Sequence, residues 1–162
     1  MSEIESTAQD QTTQPEINIE RIYVKDLSFE SPNAPLVFQD KWEPKIQLDI
    51  NSRSRAIAEE HHEVTLNITV KGTNNDDQVL FIIEVQQAGI FKLTGLDQDL
   101  QKRIVSTMCP SILFPYARET IDTLSVKGYL PPLALAPVNF EALYESAVAQ
   151  QQAEQDNTST IN

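Results

Sequence analysis

The residues best suited to chemistry in this chain are His61, His62 and Glu63, the lone Cys109, and the acidic pair Asp26 and Glu30. Imidazoles beside a carboxylate are metal-ligand types. Adjacent residues on a strand, however, point to opposite faces, so His61 and His62 cannot easily share an ion. With 2 His and 1 Cys in the whole chain, no further nitrogen or sulfur ligand completes a site. Cys109 precedes Pro110 and could sit at a helix N-terminus, which lowers a thiol pKa. Both histidines are remote from it in sequence, and a packed cysteine is the better reading. Asp26 and Glu30 lie four residues apart, roughly 13 Å along a strand, too far to share acid–base work. The 4 glycines follow no phosphate-loop spacing. No catalytic constellation emerges, so the chain reads as a non-enzyme without cofactor or metal.

Composition points the same way. A chain of 162 residues with a hydrophobic fraction of 40% suits one domain with a modest core. A net charge of -12 argues against nucleic acid and against direct membrane association. It favours basic partners. A single cysteine cannot close an internal disulfide, which fits a reducing compartment. The first residues carry no basic region followed by an apolar run, and Val79–Ile83 is far shorter than a membrane span. A cytoplasmic protein is expected.

Two polar tails are expected, an acidic one over residues 1–16 and a flexible one over 150–162, around a folded unit at 17–149. Within it the first half reads as strands. Ile17, Ile19, Tyr23, Leu27 and Phe29 share one parity, with Ile22 and Val24 between. Ile46, Leu48 and Ile50 mark a second strand, and Val64, Leu66, Ile68 and Val70 a third. After a polar hairpin loop, Val79, Phe81, Ile83 and Val85 form one face of a fourth strand. Its other face mixes Leu80, Ile82, Glu84 and Gln86, and Gly89 suggests a bend near its end.

Helical spacing begins after Gly95. Leu96, Leu100, Ile104 and Met108 recur every four residues, and Pro110 suits the first turn of a second helix. Pro115 is expected in its first turns, and Gly128 after Lys127 at its C-terminal end. Asn139 caps a last helix with Phe140, Leu143, Tyr144, Ala147 and Val148 on one side. Strands first and helices last predict an α+β domain: a four-stranded antiparallel sheet with helices packed on one face. The other face must then meet water or another molecule.

Two surfaces stand out. On the open face, acids from the first and fourth strands with Ile82 read either as a solvated acidic face or as a docking surface for a basic partner. The loop carrying Phe38 and Trp42, and the segment Tyr129–Phe140, are apolar outside regular elements. They either cap the core or line a groove for extended apolar peptide.

The motifs RIYVKDLSFE at 21–30, PNAP at 32–35, EVQQAGIF at 84–91, CPSILFPYARE at 109–119 and LAPVNF at 135–140 occur in one order. In that order the chain resembles the SecB family of bacterial protein-export chaperones, from about Ile17 to Ala149. The resemblance implies a homotetramer, a dimer of dimers, that holds non-native preproteins and passes them to the motor ATPase SecA. It implies SecA contacts at Asp26, Glu30, Ile82 and Glu84. It implies a client groove involving Phe38, Trp42, Leu133, Leu135 and Phe140. A chaperone of the same kind dedicated to a toxin–antitoxin pair is the alternative.

Overall fold

The computed structural model describes residues 14–159. The sheet is formed by β1 (Glu16–Glu30), β2 (Lys45–Ala58), β3 (His61–Thr73) and β4 (Val79–Thr94). All neighbours are antiparallel, in the order β1-β4-β3-β2. Three helices follow: α1 (Gln98–Ser106), α2 (Met108–Lys127) and α3 (Phe140–Ser159). This is the expected α+β arrangement. Of the expected tails, residues 1–13 and 160–162 lie outside the described residues, and Glu16 already begins β1. At the other end α3 continues through residues 150–159, where a polar tail was expected.

The core forms where two strands can be covered on one side. Val64, Leu66, Ile68 and Val70 of β3 and Phe81, Ile83, Val85, Phe91 and Leu93 of β4 are buried. Register explains the match: Ile68 faces Val85 and Val70 faces Ile83, so even positions of β3 and odd positions of β4 share a face. Cys109, Leu113, Ala117 and Ile121 of α2, spaced by four, cover that face and are fully buried. Burial pushes the Cys109 thiol up to about 12, so it stays protonated and inert.

The first strand does not keep one parity. Its ladder with β4 shifts between Ile19 and Arg21, and again between Val24 and Asp26. Each shift inserts one residue and flips the faces. Ile17 and Ile19, then Ile22 and Val24, then Leu27 and Phe29 therefore all turn to the helix side. Tyr23, grouped with them by simple alternation, turns outward opposite Ala88. The apolar positions that period-2 counting leaves in conflict are reconciled by two bulges.

Local signals place the helices. Asp97 Oδ1 accepts from the Leu100 amide at 2.8 Å, and Asn139 Oδ1 accepts from the Ala142 amide at 3.0 Å. Pro110 falls in the first turn of α2, whereas Pro115 lies inside the helix, with its ring exposed. Gly128 ends α2 with an ordinary φ of -81°, and Tyr129 takes the left-handed turn at φ 60°. The glycine is needed for space, since a Cβ there would fall 2.2 Å from Phe29 Cζ. Gly89 likewise sits in regular β4, where a Cβ would come within 3.1 Å of both Arg21 O and Leu113 Cδ2. Arg103 of α1 ties down α3: it pairs with Glu141, reaches Glu145 at 3.6 Å, and lies 6.0 Å from the Tyr144 ring centre.

Candidate functional site

The helices leave the other sheet face uncovered, and register shows what stands on it. Glu30 is opposite Ile82, Ser28 opposite Glu84, and Asp26 opposite Gln86. Across the next ladder Glu84 is opposite Thr69. The structure thus brings all four residues, Asp26, Glu30, Ile82 and Glu84, onto one outer patch at the same end of β1 and β4. Asp26, Glu30 and Glu84 are exposed and Ile82 is half-buried. Ser28 Oγ donates to Glu84 Oε2 at 3.4 Å, a long contact that leaves the carboxylate open to a partner. The patch offers one aliphatic anchor ringed by carboxylates, a form suited to a basic and partly apolar surface.

Further along the same face lies a cluster that sequence pattern did not reveal. Glu63 is 5% exposed. Its Oε1 accepts from Tyr23 Oη at 2.5 Å and from Lys25 Nζ at 2.9 Å, and its Oε2 accepts from Arg55 Nε at 2.6 Å. The cluster spans β1, β3 and β2. Hydrogen bonds from Tyr23 and Lys25 hold the Glu63 carboxyl down to about 2. Burial and the adjoining carboxylate push Tyr23 up to about 12. Neither partner is legible from sequence, because Tyr23 reaches the outer face through the first bulge and Lys25 is itself the residue inserted at the second.

The histidines separate as alternation demands. His61 Nδ1 lies 2.6 Å from the Glu59 carbonyl and Nε2 lies 3.2 Å from Glu20 Oε1, so the ring links the β2–β3 turn to β1. The Glu59 carbonyl, then Glu20, raise its pKa above the ordinary value. No metal-holding group of three or more His, Cys, Asp or Glu exists among the described residues.

The apolar candidates divide by depth. Phe38, in a short 3-10 turn at Leu36–Phe38, is 47% exposed and meets Tyr129 edge-on, ring centres 5.9 Å apart. Leu36 and Tyr129 beside it are more exposed still. The loop after β1 and the segment after α2 are therefore one surface. Trp42 is half-buried, stacked on Phe81 at 6.0 Å, and Leu133 is half-buried against the core. Leu135 and Phe140 are buried, Phe140 edge-on to Phe114 at 6.1 Å. They hold the Pro-rich segment to the core rather than stand open. Phe140 still forms part of the wall of a cleft of about 450 Å³ between β2 and α3, with Ile50, Leu143, Tyr144 and Val148. More apolar surface lies open on the helix side of the sheet edges, at Ile19, Val24 and Leu27 of β1 and Ile46 and Leu48 of β2.

Comparison with known proteins accords with these features. The sequence profile described as "Preprotein translocase subunit SecB" matches residues 10–151. The protein-export protein SecB of Pseudomonas fluorescens Pf-5 is 46% identical over 160 residues, 98% of this chain and 99% of that protein. That of Hahella chejuensis is 49% identical over 142 residues, 88% of this chain and 89% of that protein. Among solved structures, a SecB-like chaperone of Mycobacterium tuberculosis, in complex with an antitoxin peptide, superposes with a TM-score of 0.64. It is 20% identical, over 75% of this chain and 90% of that one, and so speaks for the fold alone. An antiparallel sheet with one open face, exposed apolar segments and a family match over most of the chain lead to one conclusion: the chain belongs to the SecB family.

Proposed function

We infer that this chain is an ATP-independent holdase that keeps unfolded secretory preproteins competent for translocation and delivers them to SecA. The carrying observation is the separation of two surfaces. Apolar side chains open to solvent lie on the loops and on the helix side, whereas the Asp26, Glu30, Ile82 and Glu84 patch lies on the opposite, uncovered sheet face. A client held on one side leaves the other free for a motor protein.

The client surface in this reading starts at Phe38, Trp42 and Leu133 and continues past Leu135 to the cleft walled by Phe140. A long extended client occupying several such places gains avidity without one strong site. The exposed apolar edge positions of β1 and β2 support the further reading that subunits associate, as a dimer of dimers. Export clients place the protein in the cytoplasm. Among the described residues no helix is long and apolar enough to cross a membrane.

The test is aggregation of a denatured preprotein with stoichiometric chaperone and no nucleotide. Delay with the unfolded client, and none of the native form bound, is the expected result. Failure across several clients, with one antitoxin segment bound selectively, would replace export by a toxin–antitoxin role.

A further inference from the structure

We propose that the outer-face cleft around Lys25, Arg53 and Arg55 is a docking site for an extended acidic polypeptide segment. The cleft measures about 360 Å³ and is also lined by Glu63, Thr65, Asn67 and Gln86. It lies on the same sheet face as the acidic patch and adjoins it, since Gln86, which lines the cleft, is the cross-strand partner of Asp26. Thr65 opposes Arg53 and Ala88, and Glu63 opposes Arg55 and Ile90. Arg21, opposite Ile90, and Lys92, opposite His61 and 4.0 Å from Glu60, extend the cationic half. Five of the chain's 12 lysines and arginines thus gather on one end of one face of a molecule of net charge -12.

Three features make this a built site. The bulge at Lys25 aims that side chain across the sheet toward Glu63. The buried Glu63 carboxylate fixes Lys25 and Arg55 from opposite sides, so both cations are oriented before a ligand arrives. Pre-ordered side chains lose less entropy on binding. Three cations then stand against a single carboxylate, and Arg53, exposed, has no ion-pair or hydrogen-bond partner among the described residues. Glu63 alone would be satisfied by Lys25 and Arg55, which leaves Arg53 free for something else.

Spacing selects the ligand. Arg53 and Arg55 project from the same face of β2, about 6.8 Å apart along the strand. An extended peptide repeats same-side side chains at that interval, so carboxylates at alternate positions meet the two guanidiniums. Planar guanidinium suits carboxylate. Gln86 offers its amide to the peptide backbone, and Asn67, whose Nδ2 donates to Asn51 Oδ1 at 3.0 Å, offers its Oδ1. The overall negative charge opposes long-range approach. At about 0.15 M salt, however, charges beyond about 8 Å are largely screened, and the cleft's own cations decide.

The test uses the full chain and a synthetic peptide of alternating Glu and Ser, titrated by calorimetry and by amide NMR. The expected result is saturable binding with shifts at Arg53, Arg55 and Thr65. A Gln–Ser peptide should show none, and a peptide of equal charge with paired glutamates should bind more weakly. Arg53→Gln with Arg55→Gln should weaken binding at least tenfold. Arg53→Gln alone, which removes no internal contact, should weaken it by a smaller factor and guards against loss of fold. No binding, or binding unchanged in both variants, would overturn the proposal. So would equal shifts with inorganic phosphate, a small-anion site only. Binding that emerges only once residues 1–13 are removed would overturn it too, since the chain's own Glu3, Glu5 and Asp10 would then be the occupant.

Discussion

Glu30 of β1 and Ile82 of β4 are direct cross-strand partners on the uncovered sheet face. Two rungs away, Asp26 stands opposite Gln86, with Glu84 and Ser28 between. An aliphatic side chain beside carboxylates is a poor arrangement for water and a good one for a basic, partly apolar partner. Burying Ile82 against such a partner would contribute about 1.5–3 kcal/mol, and the acids would set rate and specificity.

Reversing charge on this patch separates its role from client holding. Asp26→Lys with Glu84→Lys should weaken SecA binding by at least tenfold and leave client protection unchanged. Calorimetry with SecA, beside an aggregation assay, reads both. Equal SecA affinity for wild type and variant would remove the patch from the interface.

Phe38 and Trp42 should behave differently although both belong to the proposed client surface. Phe38 is largely open, so Phe38→Ala should weaken client capture with a change in stability under about 0.5 kcal/mol. Trp42 packs on Phe81, so Trp42→Ala should cost about 3 kcal/mol in folding as well. Chemical denaturation run with the client assay separates the two effects.

Glu63 predicts a pH dependence. Its pKa falls from 4.5 to about 2 on folding, so its stabilising effect is complete above the unfolded value. It is lost as pH drops from about 4.5 towards 2. Glu63→Gln should cost about 1.5–3 kcal/mol at neutral pH and flatten the loss of stability over that acid range. Urea midpoints at several pH values check this, and parallel curves for the two proteins would contradict it.

Gly128→Ala should destabilise by about 1–3 kcal/mol, because the new methyl group meets the Phe29 ring. Adding Phe29→Leu should recover part of the loss, through space rather than backbone geometry. If thermal melting finds the double variant no better than Gly128→Ala alone, the clash is not the cause.

The sequence by itself determined the elements that depend on neighbours along the chain. Period-2 runs gave the cores of β3 and β4, because side-chain direction alternates with residue number. Asn139 marked a helix start through a cap that reaches only a few residues. The pairing of apolar and acidic side chains on β4 already placed Ile82 and Glu84 away from the core. The resemblance named Asp26, Glu30, Ile82 and Glu84, and these four share one outer patch.

Tertiary structure decided what depends on partners far along the chain. The two bulges in β1 answer the register of β4, and they alone carry Tyr23 and Lys25 to Glu63, some 40 residues away. Gly128 reads as a backbone device until Phe29, about 100 residues earlier in the chain, is seen to occupy its missing side chain's place. Leu135 and Phe140 read equally as a cap on the core or as groove lining, and only the packing shows them buried. Local pattern fixes which way a side chain points; only packing fixes what it meets.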